Sequence, residues 1–170
     1  LYNSVGTHGL FTEINKIDND NIKGIYLAHT FNSITLNESE TNTAIKLASS
    51  IESDYEFVNL IQTIIDKPLS NQNFIEVLAL SNNIQSDVQL ASLLKRFSKD
   101  ALNNELVQVA FFEVSQSIQS DYELSELFSA QAENMYITDT SLQSLLQALR
   151  TIQSDYEMRR VLKALASDLS

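Results

Sequence analysis

The sequence predicts an all-α fold, an α-solenoid of about five antiparallel helix-hairpin repeats coiled into a right-handed superhelix. The tetrapeptide Ser-Asp-Tyr-Glu occurs three times, at 53–56, 120–123 and 154–157. Glycine and proline are rare, at three and one in 170 residues, which favours helix over strand. Five aspartates recur at intervals of 34, 33, 34 and 34 residues: Asp20, Asp54, Asp87, Asp121 and Asp155. This is the period of stacked helical hairpins.

The tetrapeptide predicts a helix start. Its serine is an N-cap that accepts from the third backbone N–H, and its glutamate is expected to reach back to the N–H of the cap, as in a capping box. Its aspartate lies in the first turn, where the helix dipole favours negative charge. Weaker copies stand at 19–22 and 86–89. An isoleucine two residues before each serine (Ile51, Ile118, Ile152) is expected to end the preceding helix and leave a two-residue connection.

Four apolar columns recur at fixed distances from these isoleucines and predict the packed face of each repeat. Residues 1–6 are predicted to be a frayed lead-in, and 7–170 a single repeat domain with units at 7–36, 37–69, 70–102, 103–137 and 138–170. The columns are Leu10, Ala44, Val77, Phe111 and Leu145; Phe11, Ile45, Leu78, Phe112 and Leu146; Tyr26, Leu60, Leu93, Leu127 and Val161; and Leu27, Ile61, Leu94, Phe128 and Leu162.

Charge and composition limit the classes of partner. The formal charge of −11 argues against nucleic-acid binding, which relies on clustered lysine and arginine. No apolar run approaches the 18 residues or so that a membrane-spanning helix needs, so membrane insertion is not expected. The chain has no cysteine, which excludes disulfides and thiol chemistry. Because the first residue is leucine, we expect the chain to have been cut from a longer product carrying a signal peptide or an upstream domain.

The repeats resemble a known type. They lack the Trp, Gly-Tyr and closing Pro of tetratricopeptide repeats. From about Ile17 to Leu169, they are similar to the S-D-Y-E helical repeats (HEAT/TPR-like α-solenoids) of bacterial envelope proteins, including the tails of antibiotic-sensing zinc metallopeptidases. This resemblance implies a periplasmic or other extracytoplasmic accessory domain, with a cytoplasmic location as the alternative. It implies no catalytic residue, since the peptidase signature H-E-x-x-H is absent.

Catalytic chemistry has weak support in the sequence. Asp18 to Asn21 with Gly24 partly matches a calcium loop, but Ile22 and His29 stand where ligands are required, so a helix cap is the favoured interpretation. The two histidines, His8 and His29, have acidic neighbours. The alternative function is therefore a hydrolase or metal-dependent enzyme using them. Histidines without motif spacing are more often surface residues, so no catalytic, cofactor or metal residue is predicted.

The favoured function is a non-catalytic protein-interaction or spacer domain. Stacking of the repeats would bring the tetrapeptides into one ridge of aspartates and tyrosines. Tyrosines are favoured interface anchors, and an acidic row attracts basic partners, so the expected partner is a protein or basic peptide. The competing interpretation is that the aspartates only stabilise helix starts. The candidate residues are Asp54, Tyr55, Asp87, Asp121, Tyr122, Asp155 and Tyr156.

Overall fold

The structure, a computed structural model, describes residues 2–167, with side chains described for residues 6–166. This part of the chain contains eleven α-helices, one short 3₁₀ helix (Ala132–Asn134) and no strand, which confirms the predicted all-α class. The helices are α1 (Tyr2–Asn15), α2 (Asp20–Ser33), α3 (Glu38–Ala48), α4 (Asp54–Ile65), α5 (Asn71–Ser81), α6 (Asp87–Leu94), α7 (Lys99–Leu102), α8 (Glu105–Ser115), α9 (Asp121–Gln131), α10 (Asp139–Leu149) and α11 (Asp155–Ser167).

The helices belong to two compact units, Leu1–Val77 and Leu78–Ser170, here called unit 1 and unit 2, and the division falls within α5. In unit 1, α2 packs along α4, and α1 contacts α2 and α3. In unit 2, α8 packs along α10, α9 packs along α11, and α6 contacts α8 and α9. Within each unit, equivalent helices of successive sequence repeats therefore lie side by side.

The predicted helix starts are confirmed. The second helix of each pair (α2, α4, α6, α9 or α11) begins at the repeated aspartate. The residue before it is the N-cap: Ser53 Oγ accepts from the Glu56 N–H at 3.4 Å, and Ser120 Oγ accepts from the Glu123 N–H at 3.3 Å. The weaker copy at Asn19 caps α2 in the same way, at 3.0 Å. The tetrapeptide therefore fixes where each second helix begins.

The predicted two-residue connection is wrong. The helices α3, α8 and α10 each end three residues before the isoleucine, so five residues separate α3 from α4. After the helix the chain continues in a tight turn, in which the Ile51 N–H donates to the Ala48 carbonyl at 3.0 Å. Ile118 and Ile152 make the same contact to Ser115 and Leu149, both at 3.1 Å. These isoleucines are buried, so they anchor the turn rather than end the helix.

One further prediction needs correction. Residues 2–5, predicted as part of a frayed lead-in, belong to α1, and Gly6 interrupts the helix with a left-handed φ of 67° that favours glycine. The segment between α6 and α8 also contains the one-turn helix α7, which is capped by Ser98. Both segments are too short for hydrophobic periodicity to reveal.

The four columns form the core, with four informative exceptions. Most members are buried, many of them completely, as in the case of Leu27, Ile61 and Leu127. In unit 2 the aromatic members contact one another: Phe111 lies 5.8 Å from Phe112, and Phe112 lies 6.0 Å from Phe128, between ring centroids. The members that are not buried are Leu10, Tyr26, Leu146 and Leu162.

Comparison of a core residue with a cap residue in unit 2 tests this distribution of stability. Phe112→Ala should lower the free energy of unfolding by about 3 to 5 kcal/mol, because it leaves a cavity in a fully buried aromatic cluster. Ser120→Ala removes one cap hydrogen bond and should cost about 1 kcal/mol. Urea unfolding followed by circular dichroism measures both. Equal losses would show that the packing of α8 and α9 differs from that described.

Candidate functional site: the turn edge

The repeated aspartates join successive repeats. One oxygen of Asp121, at the start of α9, accepts from two adjacent backbone N–H groups in the turn before α11: from Gln153 at 3.1 Å and from Ser154 at 2.7 Å. The partners stand 32 and 33 residues further along the chain. The carboxylate thus satisfies backbone donors of the next turn, and hydrogen bonds of this charge-assisted kind are stronger than neutral ones.

The same arrangement occurs at Asp20 and at Asp87. Asp20 accepts from Glu52 and Ser53, both at 2.9 Å, within unit 1. Asp87 accepts from Gln119 at 3.1 Å and from Ser120 at 2.8 Å within unit 2. We call Asp20, Asp87 and Asp121 the bridging aspartates. Asp54 has the same place at the start of α4.

The bridging aspartates overturn part of the capping-box prediction. The N–H groups of Ser53, Ser120 and Ser154 donate to the aspartate of the preceding repeat rather than to the glutamate three residues on. The serine half of the box is present in all three. A complete reciprocal box forms at Asn37 with Glu40, and another at Thr138 with Ser141, both at starts of first helices.

The glutamates freed in this way make contacts to the preceding repeat. Glu56 accepts from the Asn21 side chain at 2.8 Å, and Glu157 accepts from the Ser125 hydroxyl. Glu123 lies 3.8 Å from the Lys95 ammonium. The third residue of each of these second helices is therefore directed at the repeat before it.

The tyrosines of the predicted ridge lie on the surface. Tyr55, Tyr122 and Tyr156 are exposed by 60%, 56% and 71% of their area, and each is the second residue of its helix. Val88 has that position in α6 and is 58% exposed. Within unit 2, the side-by-side packing of α6, α9 and α11 places Val88, Tyr122 and Tyr156 on one edge, at the helix spacing of about 8 to 10 Å. We call this edge, formed by the turns and the first residues of the second helices, the turn edge.

Tyr122 has a cationic neighbour. The Arg160 guanidinium lies 5.9 Å from the centre of its ring, within range of a cation–π contact. Arg160 also forms ion pairs with Glu126 and with Glu157, and these hydrogen bonds raise the pKa of its guanidinium. The arginine is therefore held against the preceding repeat.

Shallow polar grooves lie between successive turns. The residues around the groove in unit 1 are largely acidic or amide-bearing, and Lys23 is the cation among them: Asp18, Asn19, Asp20, Asn21, Lys23, Ser50, Glu52 and Glu56. The equivalent groove in unit 2 is lined by Asn82, Ile84, Gln85, Ser86, Asp87, Val88, Ser117 and Gln119. Lys23 is buried and donates to Ser50 Oγ at 2.9 Å. Within unit 2, the turn edge thus offers the Asp87 carboxylate and several amide groups beside the exposed Val88.

The residues considered for metal chemistry have ordinary surroundings. His8 is exposed on α1, and His29 on α2 lies 3.3 Å from Ser33 Oγ. In the part of the chain that the structure describes, no three His, Cys, Asp or Glu side chains are grouped to hold a metal ion. Asn19, from the partial calcium loop, caps α2. Among residues 2–167, no helix has the length and apolar character needed to cross a membrane.

Sequence reasoning missed one set of structural residues, the buried amides. Gln131 is fully buried, and its amide donates to the Leu94 and Phe97 carbonyls at 3.0 and 3.2 Å. Gln108 is almost completely buried, and its amide donates to the Leu102 and Tyr136 carbonyls. These residues satisfy carbonyls at helix ends and loops in unit 2. They occur once each, so the repeat pattern gave no signal for them.

Comparison with protein-family models, with curated proteins and with solved structures gave no match to this chain. The similarity to envelope S-D-Y-E repeats therefore stays a prediction.

A matched pair of substitutions tests the role of the bridging aspartates. Asp121→Ala should lower the free energy of unfolding by about 1.5 to 3 kcal/mol, because two backbone donors lose a charged acceptor. Asp155→Ala, at the equivalent position of α11, removes only the favourable charge at the helix start and should cost about 0.3 to 1 kcal/mol. Chemical unfolding at low protein concentration measures both. If Asp155→Ala is as destabilising as Asp121→Ala, the contribution comes from the helix dipole instead.

Proposed function

We propose that the chain is a non-catalytic helical-repeat domain that binds a basic protein or peptide along the turn edge. The observation that supports this most strongly is the exposure of Tyr55, Tyr122 and Tyr156 at one repeated position. A helix start needs no aromatic residue there, since the cap requires only the serine and the residues that follow it in the first turn. Tyrosine presents a large, rigid surface at little entropic cost and is common at binding hot spots.

The contacts of the bridging aspartates change the predicted role of the aspartates in attracting a basic partner. One oxygen of each is engaged by two backbone N–H groups, so these carboxylates mainly hold successive turns in register. Other groups supply negative charge to a partner as well. The exposed Glu52 and Asp155 carry such charge, and the whole chain has a net charge of −11. Such a field raises the association rate of a cationic ligand more than its final affinity.

The contact between Arg160 and Tyr122 suggests which basic side chain is preferred. It places a guanidinium over a turn-edge tyrosine, with carboxylates as its second partners. Tyr156, at 71% exposure, has the same position in α11 and is open to an equivalent contact from a ligand. We therefore expect arginine to be favoured over lysine, because its planar group stacks on aromatic rings and bonds to carboxylates at once.

The proposed architecture is an α-solenoid of five helix pairs. Its support is the aspartate spacing of the sequence together with the side-by-side packing of equivalent helices in each unit. Repeat arrays commonly present extended binding surfaces and also act as spacers between other domains. A place in a bacterial envelope protein, outside the cytoplasm, is the setting that the resemblance implies.

The test is a titration by fluorescence anisotropy with a labelled arginine-rich peptide and a composition-matched lysine-rich peptide. The wild-type chain should bind the arginine peptide more tightly, and binding should weaken as salt rises, because screening reduces the attraction. Tyr122→Ala and Tyr156→Ala should each cost on the order of 1 to 2 kcal/mol of binding free energy. Circular dichroism should show unchanged helix content in both variants.

Tyr136→Ala is the matched control, since Tyr136 is 77% exposed in unit 2 but precedes α10 and lies outside the tyrosine positions of the turn edge. It should bind the arginine peptide as the wild-type chain does. If the Tyr122→Ala, Tyr156→Ala double variant binds the arginine peptide with unchanged affinity, the peptide does not bind at the turn edge.

A further inference from the structure

The outer face of α10 and α11 exposes residues whose counterparts are buried in earlier repeats. Leu146 is 39% exposed, while its counterparts Ile45, Leu78 and Phe112 are fully buried. Leu162 is 51% exposed, although Phe128 in the same column is fully buried. Phe112 and Phe128 contact each other, and Leu146 and Leu162 stand at the equivalent positions of α10 and α11. We call the surface that these two exposed leucines belong to the C face.

The C face also includes an unused acceptor. Asp155 has the position of the bridging aspartates, which each take two N–H groups from the following turn. It is exposed, whereas the bridging aspartates are half-buried, and it accepts from no donor within residues 2–167. The C face therefore presents both the apolar and the polar half of a repeat-to-repeat contact.

On α2, the positions that contact the preceding repeat in later helices are exposed. Tyr26 is 52% exposed, whereas its counterparts Leu60, Leu93, Leu127 and Val161 are buried. The third and sixth residues of α11, Glu157 and Arg160, contact the preceding repeat through Ser125 and Glu126. The same positions of α2 are occupied by Ile22 and Ile25, which are 45% and 59% exposed. We call the patch of Ile22, Ile25 and Tyr26 the N face.

The N face has unused donors at the matching place. Glu52 and Ser53 stand two residues and one residue before α4, and their N–H groups donate to Asp20. Their counterparts before α2 are Asp18 and Asn19. The N–H groups of these two residues donate to no acceptor in the described chain. The N face therefore carries two adjacent backbone donors beside an apolar patch, and these are the donors that Asp155 on the C face lacks.

We infer that the C face of one chain binds the N face of a second copy, in the geometry by which repeats stack within each unit. Asp155 of one copy accepts from the Asp18 and Asn19 N–H groups of the other. Leu146 and Leu162 cover Ile25 and Tyr26. At the third helical position, Ile22 replaces the glutamate of α4, α9 and α11, so it packs on the aliphatic stems of Arg159 and Lys163, both exposed on α11.

This contact joins two different surfaces, so it propagates head to tail into rings or open chains rather than closing as a symmetric dimer. The inference does not depend on the ligand proposed for the turn edge, because its test measures association of the chain alone, with no peptide present, and its blocking variants change Leu162 and Ile25 rather than a turn-edge tyrosine.

Complementation between two variants tests it. Leu162→Glu blocks the C face and leaves the N face intact, and Ile25→Glu does the reverse. Sedimentation velocity should show wild-type chains whose mass rises with concentration. Each variant alone should stay at the mass of one chain, and their equimolar mixture should form a dimer through the one intact pair of faces. Asp155→Asn should weaken wild-type association about tenfold or more, through loss of a charged acceptor.

Leu106→Glu is the matched control, because Leu106 is 66% exposed in unit 2 but lies on neither face. It should associate as the wild-type chain does, and circular dichroism should show that all the variants fold. A wild-type chain that stays at the mass of one chain at all concentrations would overturn the inference. A mixture of the two blocked variants that stays monomeric, or a Leu106→Glu chain that loses association, would also overturn it.

Discussion

The structure depends on one hydrogen-bonding arrangement, in which an aspartate at the start of one second helix accepts two backbone N–H groups from the next turn. Asp20, Asp87 and Asp121 all do this, with partners 32 and 33 residues ahead. The 34-residue period thereby acquires a physical cause beyond equal helix lengths. Apolar burial supplies most of the stability, since each buried leucine or isoleucine contributes roughly 1.5 to 3 kcal/mol, but it specifies register less sharply than directed hydrogen bonds do.

The same arrangement connects packing to the surface that we propose for binding. Because the aspartate takes the N–H of the serine cap, the glutamate is free to contact the preceding repeat, as in Glu56 with Asn21. The first turn of α9 is thus fixed on two sides, because Asp121 accepts from the turn before α11 and Glu123 lies near Lys95 of the preceding repeat. A tyrosine at its second residue is held at a defined place on the edge while its ring stays exposed. A surface arranged in this way loses little conformational entropy when a ligand binds.

The sequence predicted what is local or periodic. Helix class and the starts of the second helices followed from the caps, and most buried columns followed from the 34-residue spacing. The bridging role of Asp87 could not be predicted, because its partners are distant in sequence and use only backbone atoms, which leave no mark on side-chain identity. The turn before α4 was misplaced because Ile51 continues the apolar pattern past the helix end. For the candidate site, the sequence predicted Tyr122 and Tyr156 as binding residues, which stays a prediction, while their exposure and the Arg160 contact required the structure.

Amide hydrogen exchange measured by NMR at the turn before α11 tests the central claim most directly. The N–H groups of Gln153 and Ser154 lie outside any helix, in a turn where Gln153 is exposed, so without an acceptor they would exchange at nearly the rate of an unfolded chain. Hydrogen bonding to Asp121 predicts clear protection at both amides, lost in an Asp121→Ala chain that keeps its helices. Unprotected exchange at Gln153 and Ser154 in the wild-type protein would contradict the account.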